Sequence, residues 1–499
     1  MIRKKIFQLA ITLTALLPCS MINSHAQTAH ARSPLKVLFV GYDPARLPHE
    51  IKKSLDGFSE RDSVRMAAFK ALLSEYFAEV KTIDCRDWKT TDSDPYDVTI
   101  FDYPTSIIEK GDNNPDHYVY PRRLPDNFSK PVVFIAGTAD EMGRRIGLKL
   151  DWLCLCLDAD AHHINTSHPI FNGPLEKVQL TLEMKETPKG IFEYPSGDTV
   201  PHQLPMWRVN KESYANNENV RIGMVSRGAR FTESPDAEVI SSGVCLKDVT
   251  AVALGRHGNF FLWGFAASPA TMTEEAKKVF VNAVAYIKQF DGQTPIARKY
   301  NDRMATTVDV LQIAGFATKK HWEESVAGIK KFNESTARLF KSLQAKKDSG
   351  KTLTDRETEL YNIYSNFKPE KPRTWEEFLQ SMMGPFAKKF GTDAAAYQQY
   401  IKDNIGYMYC DPKGFWTYNV DEDVQKLKIS NHSTKLLEAC IKMLKENKDT
   451  ALAMRVLKRY TPEDFATAAE WDSWYRTNKA KLFFTETGGY KFIVNTLKS

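Results

Sequence analysis

Short apolar runs separated by helix-length segments constrain this chain more than any other feature. Leu35-Lys36-Val37-Leu38-Phe39-Val40-Gly41 is one such run, and it stops on a turn glycine. Residues 80–83, 96–102 and 131–137 are three more. Between the first two, Val64, Ala67, Ala68, Ala71, Leu72 and Phe77 fall on one side of a helix over 63–77. Residues 139–148 are expected to be helical as well. A strand that is apolar at nearly every position must be covered on both faces. Such strands alternating with helices predict an α/β domain, with a mostly parallel sheet between helix layers and right-handed crossovers.

The pattern changes twice further along. Residues 178–184, 221–226, 249–254 and 259–263 read as strands, with His257-Gly258-Asn259 as a hairpin turn. A helix follows over 273–290, with Thr273 as its cap and Glu274 and Glu275 in its first turn. Asp291-Gly292-Gln293-Thr294-Pro295 ends it, so the α/β domain is placed at 35–293. Beyond residue 296 helices dominate, over 308–314, 322–344, 355–364 and 375–390, with 346–352 expected as a loop. The helical region is therefore placed at 296–390. The stretch 391–499 contains a repeat. Tyr397, Tyr400, Asn404, Gly414, Trp416, Tyr418 and Val420 recur, each 74 positions later, as Trp471, Trp474, Asn478, Gly488, Tyr490, Phe492 and Val494. Each copy reads as a helix followed by a β-hairpin, with helices over 433–446 and 451–460 between the copies. A structural role for the recurring aromatics is preferred to carbohydrate contact.

Charge and apolar segments bear on location. Arg3, Lys4 and Lys5, the uncharged apolar run 6–17 and Ser24-His25-Ala26 have the order of a secretory signal, with cleavage expected after Ala26. The run is short for a bilayer span, and Pro18 before Cys19 disfavours lipidation. A periplasmic or secreted protein without a transmembrane span is expected. The whole chain has 68 Lys and Arg against 62 Asp and Glu, a net +6, of which the first 26 residues supply three. The remainder is too weakly basic to argue for a nucleic-acid partner. Export permits disulfides. Cys154 and Cys156 are nevertheless read as small buried apolar side chains rather than a redox or metal pair.

In an open parallel sheet ligands bind beyond the carboxyl ends of the strands. Asp43, Asp102 and Asp140 follow three of the predicted strands and could share one crevice, where paired carboxylates can do acid–base work. The plainer alternative is that Asp43 and Asp102 stabilise turns and Asp140 caps a helix. The turn at Gly137 has the outline of a nucleophile elbow with Thr138 or Ala139 at its apex. Neither Ser nor Cys is there, which argues against an acyl-enzyme. Asp158, Asp160, His162 and His163 form a second cluster of metal-ligating types, but their spacing matches no established ligand pattern. No dinucleotide or P-loop motif is present. No cofactor is predicted, and a divalent metal is the lesser alternative.

Ser167-His168-Pro169-Ile170-Phe171-Asn172-Gly173-Pro174 resembles the His-Pro-Ile segment of the trehalose-utilisation (ThuA-like) family. Residues 258–265, Gly-Asn-Phe-Phe-Leu-Trp-Gly-Phe, and the helix containing Asn282-Ala283 are similar to that family's closing strand and helix. The resemblance covers about residues 35–290. It implies a flavodoxin-like, class I glutamine amidotransferase-like fold, an absent amidotransferase cysteine and a link to sugar metabolism. His168 is the residue it carries over. The region after 296 loosely resembles helical, HEAT-like appendages. The expectation is an exported protein that binds or processes a carbohydrate derivative at the strand ends, with Asp43, Asp102, Asp140 and His168 as lining residues. Two alternatives stand beside it. One is a non-catalytic interaction protein with a degenerate enzyme fold, docking a partner through its helical half. The other is a metal-dependent hydrolase using the second cluster.

Overall fold

The computed structural model describes residues 31–46, 64–104, 124–125, 127–139, 141–142, 147–148, 154–193, 200–216, 220–228, 231–245, 248–298, 304–410 and 417–497. Asp140, half of 139–148 and the first 26 residues lie outside them.

Among the described residues twelve strands belong to the first half: β1 (Ser33–Gly41), β2 (Phe77–Asp84), β3 (Val98–Phe101), β4 (Val132–Ile135), β5 (Cys154–Leu157), β6 (Asp160–His162), β7 (Leu182–Glu186), β8 (Gln203–Arg208), β9 (Gly223–Val225), β10 (Ala237–Gly243), β11 (Val252–His257) and β12 (Phe260–Trp263). Ten of them form one sheet in the order β2-β1-β3-β4-β12-β11-β10-β6-β8-β7. The first five run parallel. The β11–β12 hairpin then reverses direction, and the rest of the sheet is antiparallel. Gly258 makes that hairpin turn at φ 56°, and a Cβ there would meet Pro295 Cγ at 2.9 Å.

Every residue of β3, β4 and β12 is buried, as both-face coverage requires. Alternate side chains enter two different cores: Phe39 faces Phe69 and Phe280, while Leu38 and Val40 join Phe101, Phe134 and Phe260. On the first face, helix α1 (Arg65–Tyr76) stacks Phe69 on Phe39, centroids 4.8 Å apart. Helix α2 (Glu274–Ile287) brings Phe280 edge-on to Trp263 at 5.1 Å. Thr273 caps α2 by accepting the Ala276 N–H at 3.2 Å.

The helical half has its own core, beginning at Met304. It contains α3 (Thr307–Phe316), α4 (Lys319–Asp348), α5 (Asp355–Ser365), α6 (Trp375–Met383), α7 (Ala394–Asn404), α8 (Lys435–Lys445), α9 (Thr450–Tyr460) and α10 (Ala468–Asn478). α4 continues through the first three residues of the expected 346–352 loop, and the turn falls at 349–354. Two hairpins complete this half, β13 (Met408–Tyr409) with β14 (Asn419–Val420), and β15 (Leu482–Thr485) with β16 (Lys491–Val494). Their registers repeat: Met408 pairs Val420 as Leu482 pairs Val494, 74 positions on. Asn404 donates to Tyr400 O at 2.8 Å, and Asn478 to Trp474 O at 2.9 Å. Buried Phe378, Leu379, Met383 and Phe386 have buried counterparts at the same spacing in Leu452, Ala453, Leu457 and Tyr460, so the repeated unit includes α6 and α9.

Candidate functional site at the strand carboxyl ends

The strand order reverses between β1 and β3, and both strands end on the same edge of the sheet. Such a switch point opens a crevice beyond the strand ends. Asp102 follows β3 directly and is 1% exposed. Arg65, the first residue of α1, grips it with a two-pronged contact, Nε to Oδ2 at 2.6 Å and Nη2 to Oδ1 at 3.0 Å. Arg65 also donates to Ala266 O at 2.7 Å. Arg221 adds a third bond to Oδ1 at 3.1 Å. Burial pushes the Asp102 carboxyl up, but the two guanidiniums outweigh it and hold the group below its ordinary value.

A second cluster sits at the ends of β1 and β2. The Asp43 N–H donates to Asp84 Oδ2, and Asp43 Oδ1 accepts the Ala45 N–H, both at 2.8 Å. Arg86 chelates Asp84 at 2.7 and 2.6 Å and reaches Asp43 O at 2.8 Å. Arg46 forks onto Asp87 at 2.5 and 2.9 Å. Burial opposes ionisation of Asp84, yet the Arg86 contacts and two backbone N–H groups bring it down to about 2. Asp43, Asp84, Asp87 and Asp102 thus stand beside Arg46, Arg65, Arg86 and Arg221, and the buried Glu141 follows the β4 turn.

β4 ends in a strained turn. Ala136 has φ 47°, in the left-handed region that costs a side-chain-bearing residue about 1–3 kcal/mol. The apex of the elbow is therefore Ala136, not Thr138 or Ala139. Thr138 points inward and donates to Phe101 O and Ile135 O, each at 2.8 Å. A methyl occupies the place where an elbow presents its nucleophile. Gly137 beside it is half-buried, and no described atom lies within 4 Å of where its Cβ would be.

His168 does not join this edge. It caps the helical turn Pro169–Asn172, with Nδ1 taking the Ile170 N–H at 3.4 Å. Its Nε2 lies 3.3 Å from Glu238 on β10, and three strands separate β10 from β3. Glu238 also accepts from Arg256 at 3.0 and 2.7 Å and from the Tyr286 hydroxyl at 2.8 Å. Burial raises its pKa, but these donors hold it well below the usual carboxylate range. Sequence patterns did not single out Glu238, Arg65 or Arg221, because isolated charged residues carry no signal until the fold pairs them.

The Asp158–His163 cluster is dispersed by other bonds. Asp158 accepts from Ser213 Oγ at 2.5 Å and from the Tyr214 N–H at 3.2 Å. Asp160 takes Lys185 and Arg208, both at 2.7 Å. His162 is fully buried, its Nδ1 2.7 Å from His163 Nδ1. Burial, then the neighbouring His163, pushes it down to about 4. Among the described residues no group of three or more His, Cys, Asp or Glu side chains could hold a metal ion. Cys156 is buried and disulfide-bonded, which corrects its reading as a simple apolar filler. The repeat aromatics are packed inward: Tyr397, Trp471 and Tyr490 are fully buried, and the Tyr397 and Tyr418 hydroxyls meet at 3.0 Å. Gly414 and Trp416 lie outside the described residues.

No family model matches this chain, and none of the curated proteins does.

Proposed function

We propose that the α/β half is a ligand-binding domain of flavodoxin-like, ThuA-like type. It takes a neutral, polyhydroxylated ligand, a carbohydrate derivative, at the carboxyl ends of the parallel strands and holds it without covalent chemistry. The strand order 2-1-3-4 followed by β12 supports that architecture, as do the His168–Pro174 and Gly258–Phe265 motifs. The observation that carries the reading is the paired Asp–Arg edge. Fixed carboxylates and guanidiniums already paired with one another suit vicinal hydroxyls, which both donate and accept, better than a phosphate or a carboxylate. The methyl of Ala136 at the elbow apex supports binding rather than acyl transfer. The basic start, apolar run and Ser24-His25-Ala26 support export to the periplasm or medium.

The same methyl also favours a second reading, an interaction scaffold with a degenerate enzyme fold. A glycan array followed by calorimetry on the hits separates the two. Wild type is expected to bind a neutral glycan. Gly137→Phe, which adds a ring at the half-buried strand end, is expected to abolish binding with an unchanged melting temperature. No binding across the array, or equal binding by both proteins, would rule the sugar reading out.

A further inference from the structure

α4 is long and little buried. It runs for 30 residues, about 45 Å at 1.5 Å per residue. Thr336 and Leu343 are its only buried residues. Support comes from one side. Phe340 stacks on Tyr361 of α5 at 5.3 Å, and Phe332 meets Phe367 edge-on at 5.7 Å. Near its start, Trp322 packs on Trp375 of α6 and donates Nε1 to Arg373 O at 2.9 Å. The other face is exposed.

That exposed face is unusual in charge. Residues 330–341 contain four Lys or Arg and one acidic residue, Glu334, a net +3. A solvated helix face ordinarily mixes signs. Lys330, Lys331, Arg338 and Lys341 are all exposed. Phe332 and Leu339, seven residues apart along the border between the supported side and this basic face, are 46% and 38% exposed. Concentrated positive charge bordered by exposed apolar side chains matches the interface of an anionic bilayer, which attracts the first and accepts the second. Among the described residues no helix is long and apolar enough to cross a membrane, so contact through this face would be peripheral.

We infer that the outer face of α4 over residues 330–341 is a docking surface for an anionic phospholipid bilayer. The test is co-sedimentation of the purified full-length chain with phosphatidylglycerol vesicles and with phosphatidylcholine vesicles. A variant carrying Lys330→Gln, Lys331→Gln, Arg338→Gln and Lys341→Gln is run in parallel. Both proteins share the same first 26 residues, so any apolar contribution from that segment cancels. Circular dichroism establishes that the variant is folded, and Phe332→Ser gives a second, independent lesion. Wild type is expected to bind phosphatidylglycerol, to be released by 0.5 M salt and to ignore phosphatidylcholine. The fourfold variant should lose about a hundredfold in affinity, and Phe332→Ser about tenfold. Absence of binding to phosphatidylglycerol, or equal binding by the fourfold variant, overturns the proposal. So does binding to an acidic polypeptide such as polyglutamate with none to vesicles, which would make the partner a protein.

Discussion

Asn282 holds Glu176 by both of its backbone groups: the Glu176 N–H donates to Asn282 Oδ1 at 2.9 Å, and Asn282 Nδ2 donates to Glu176 O at 2.8 Å. The same amide takes the Leu175 N–H at 3.0 Å and gives to Ile170 O at 2.9 Å. Two of the three segments that carry the family resemblance meet here, and their conjunction is architectural. A fully buried amide on α2 clamps the segment after His168. Asn282→Leu should lower stability by about 3 kcal/mol, since it strands buried backbone groups. Urea unfolding followed by fluorescence checks this, and a loss below about 1 kcal/mol would show that the clamp is dispensable.

Asp102 is the anchor of the strand-end edge, so its removal leaves two guanidiniums facing each other. Asp102→Ala is expected to cost about 3–5 kcal/mol, the range for breaking a buried pair. Asp102→Ala combined with Arg65→Met should recover part of that loss, because one stranded charge is gone. The sign under acid follows from the lowered pKa. The carboxylate's contribution is complete above the unfolded value near 3.9 and is lost as pH falls through the lower folded value. A stability profile between pH 5 and 2 that is no flatter in the double variant than in wild type would contradict this.

His162 gives a second pH signature at milder acidity. Its folded pKa is about 4, and the unfolded value is near 6.5. Between them the unfolded chain binds the proton more readily, so stability is complete above about 6.5 and declines as pH falls toward 4. Wild type should lose several degrees of melting temperature across that window. His162→Leu, which fills the fully buried position without a titrating ring, should flatten that part of the profile. Parallel profiles for the two proteins would show that burial does not hold His162 neutral in the folded chain.

How much of this could be read in advance depends on whether a feature is local. The parallel strands were readable because β3, β4 and β12 are apolar at nearly every position. The antiparallel extension was harder. Leu182–Glu186 is exposed at most positions, and Gln203–Arg208 has a proline within it and polar residues at both ends, so neither has a core-strand signature. Asp102 was found from its position after a strand. Its partners were not, because Arg65 lies 37 and Arg221 119 positions away. His168 likewise meets Glu238 across 70 positions. The repeat was visible where aromatics recur. It was invisible upstream, where Phe378 and Leu379 correspond to Leu452 and Ala453 and only burial is kept.

The second hairpin meets the α/β half at Glu486, whose carboxylate holds the start of α3 while its backbone N–H reaches across. Glu486 is fully buried, accepts the Thr307 N–H at 2.7 Å and the Thr307 hydroxyl at 2.6 Å, and lies 2.6 Å from His432 Nε2. It thereby places a negative charge at the N-terminus of α3, where the helix dipole favours one. Its own N–H donates to Glu233 of the α/β half at 2.9 Å. Glu486→Gln keeps the shape but turns an NH2 toward groups that donate. It should cost the helical half about 2–4 kcal/mol. Glu233→Ala removes an acceptor for one backbone N–H and should cost about 1 kcal/mol. The halves have separate cores, so calorimetry can follow each transition. The helical transition should fall in Glu486→Gln while the α/β transition holds. A drop of the same size in both transitions would mean that Glu486 stabilises the interface rather than the start of α3.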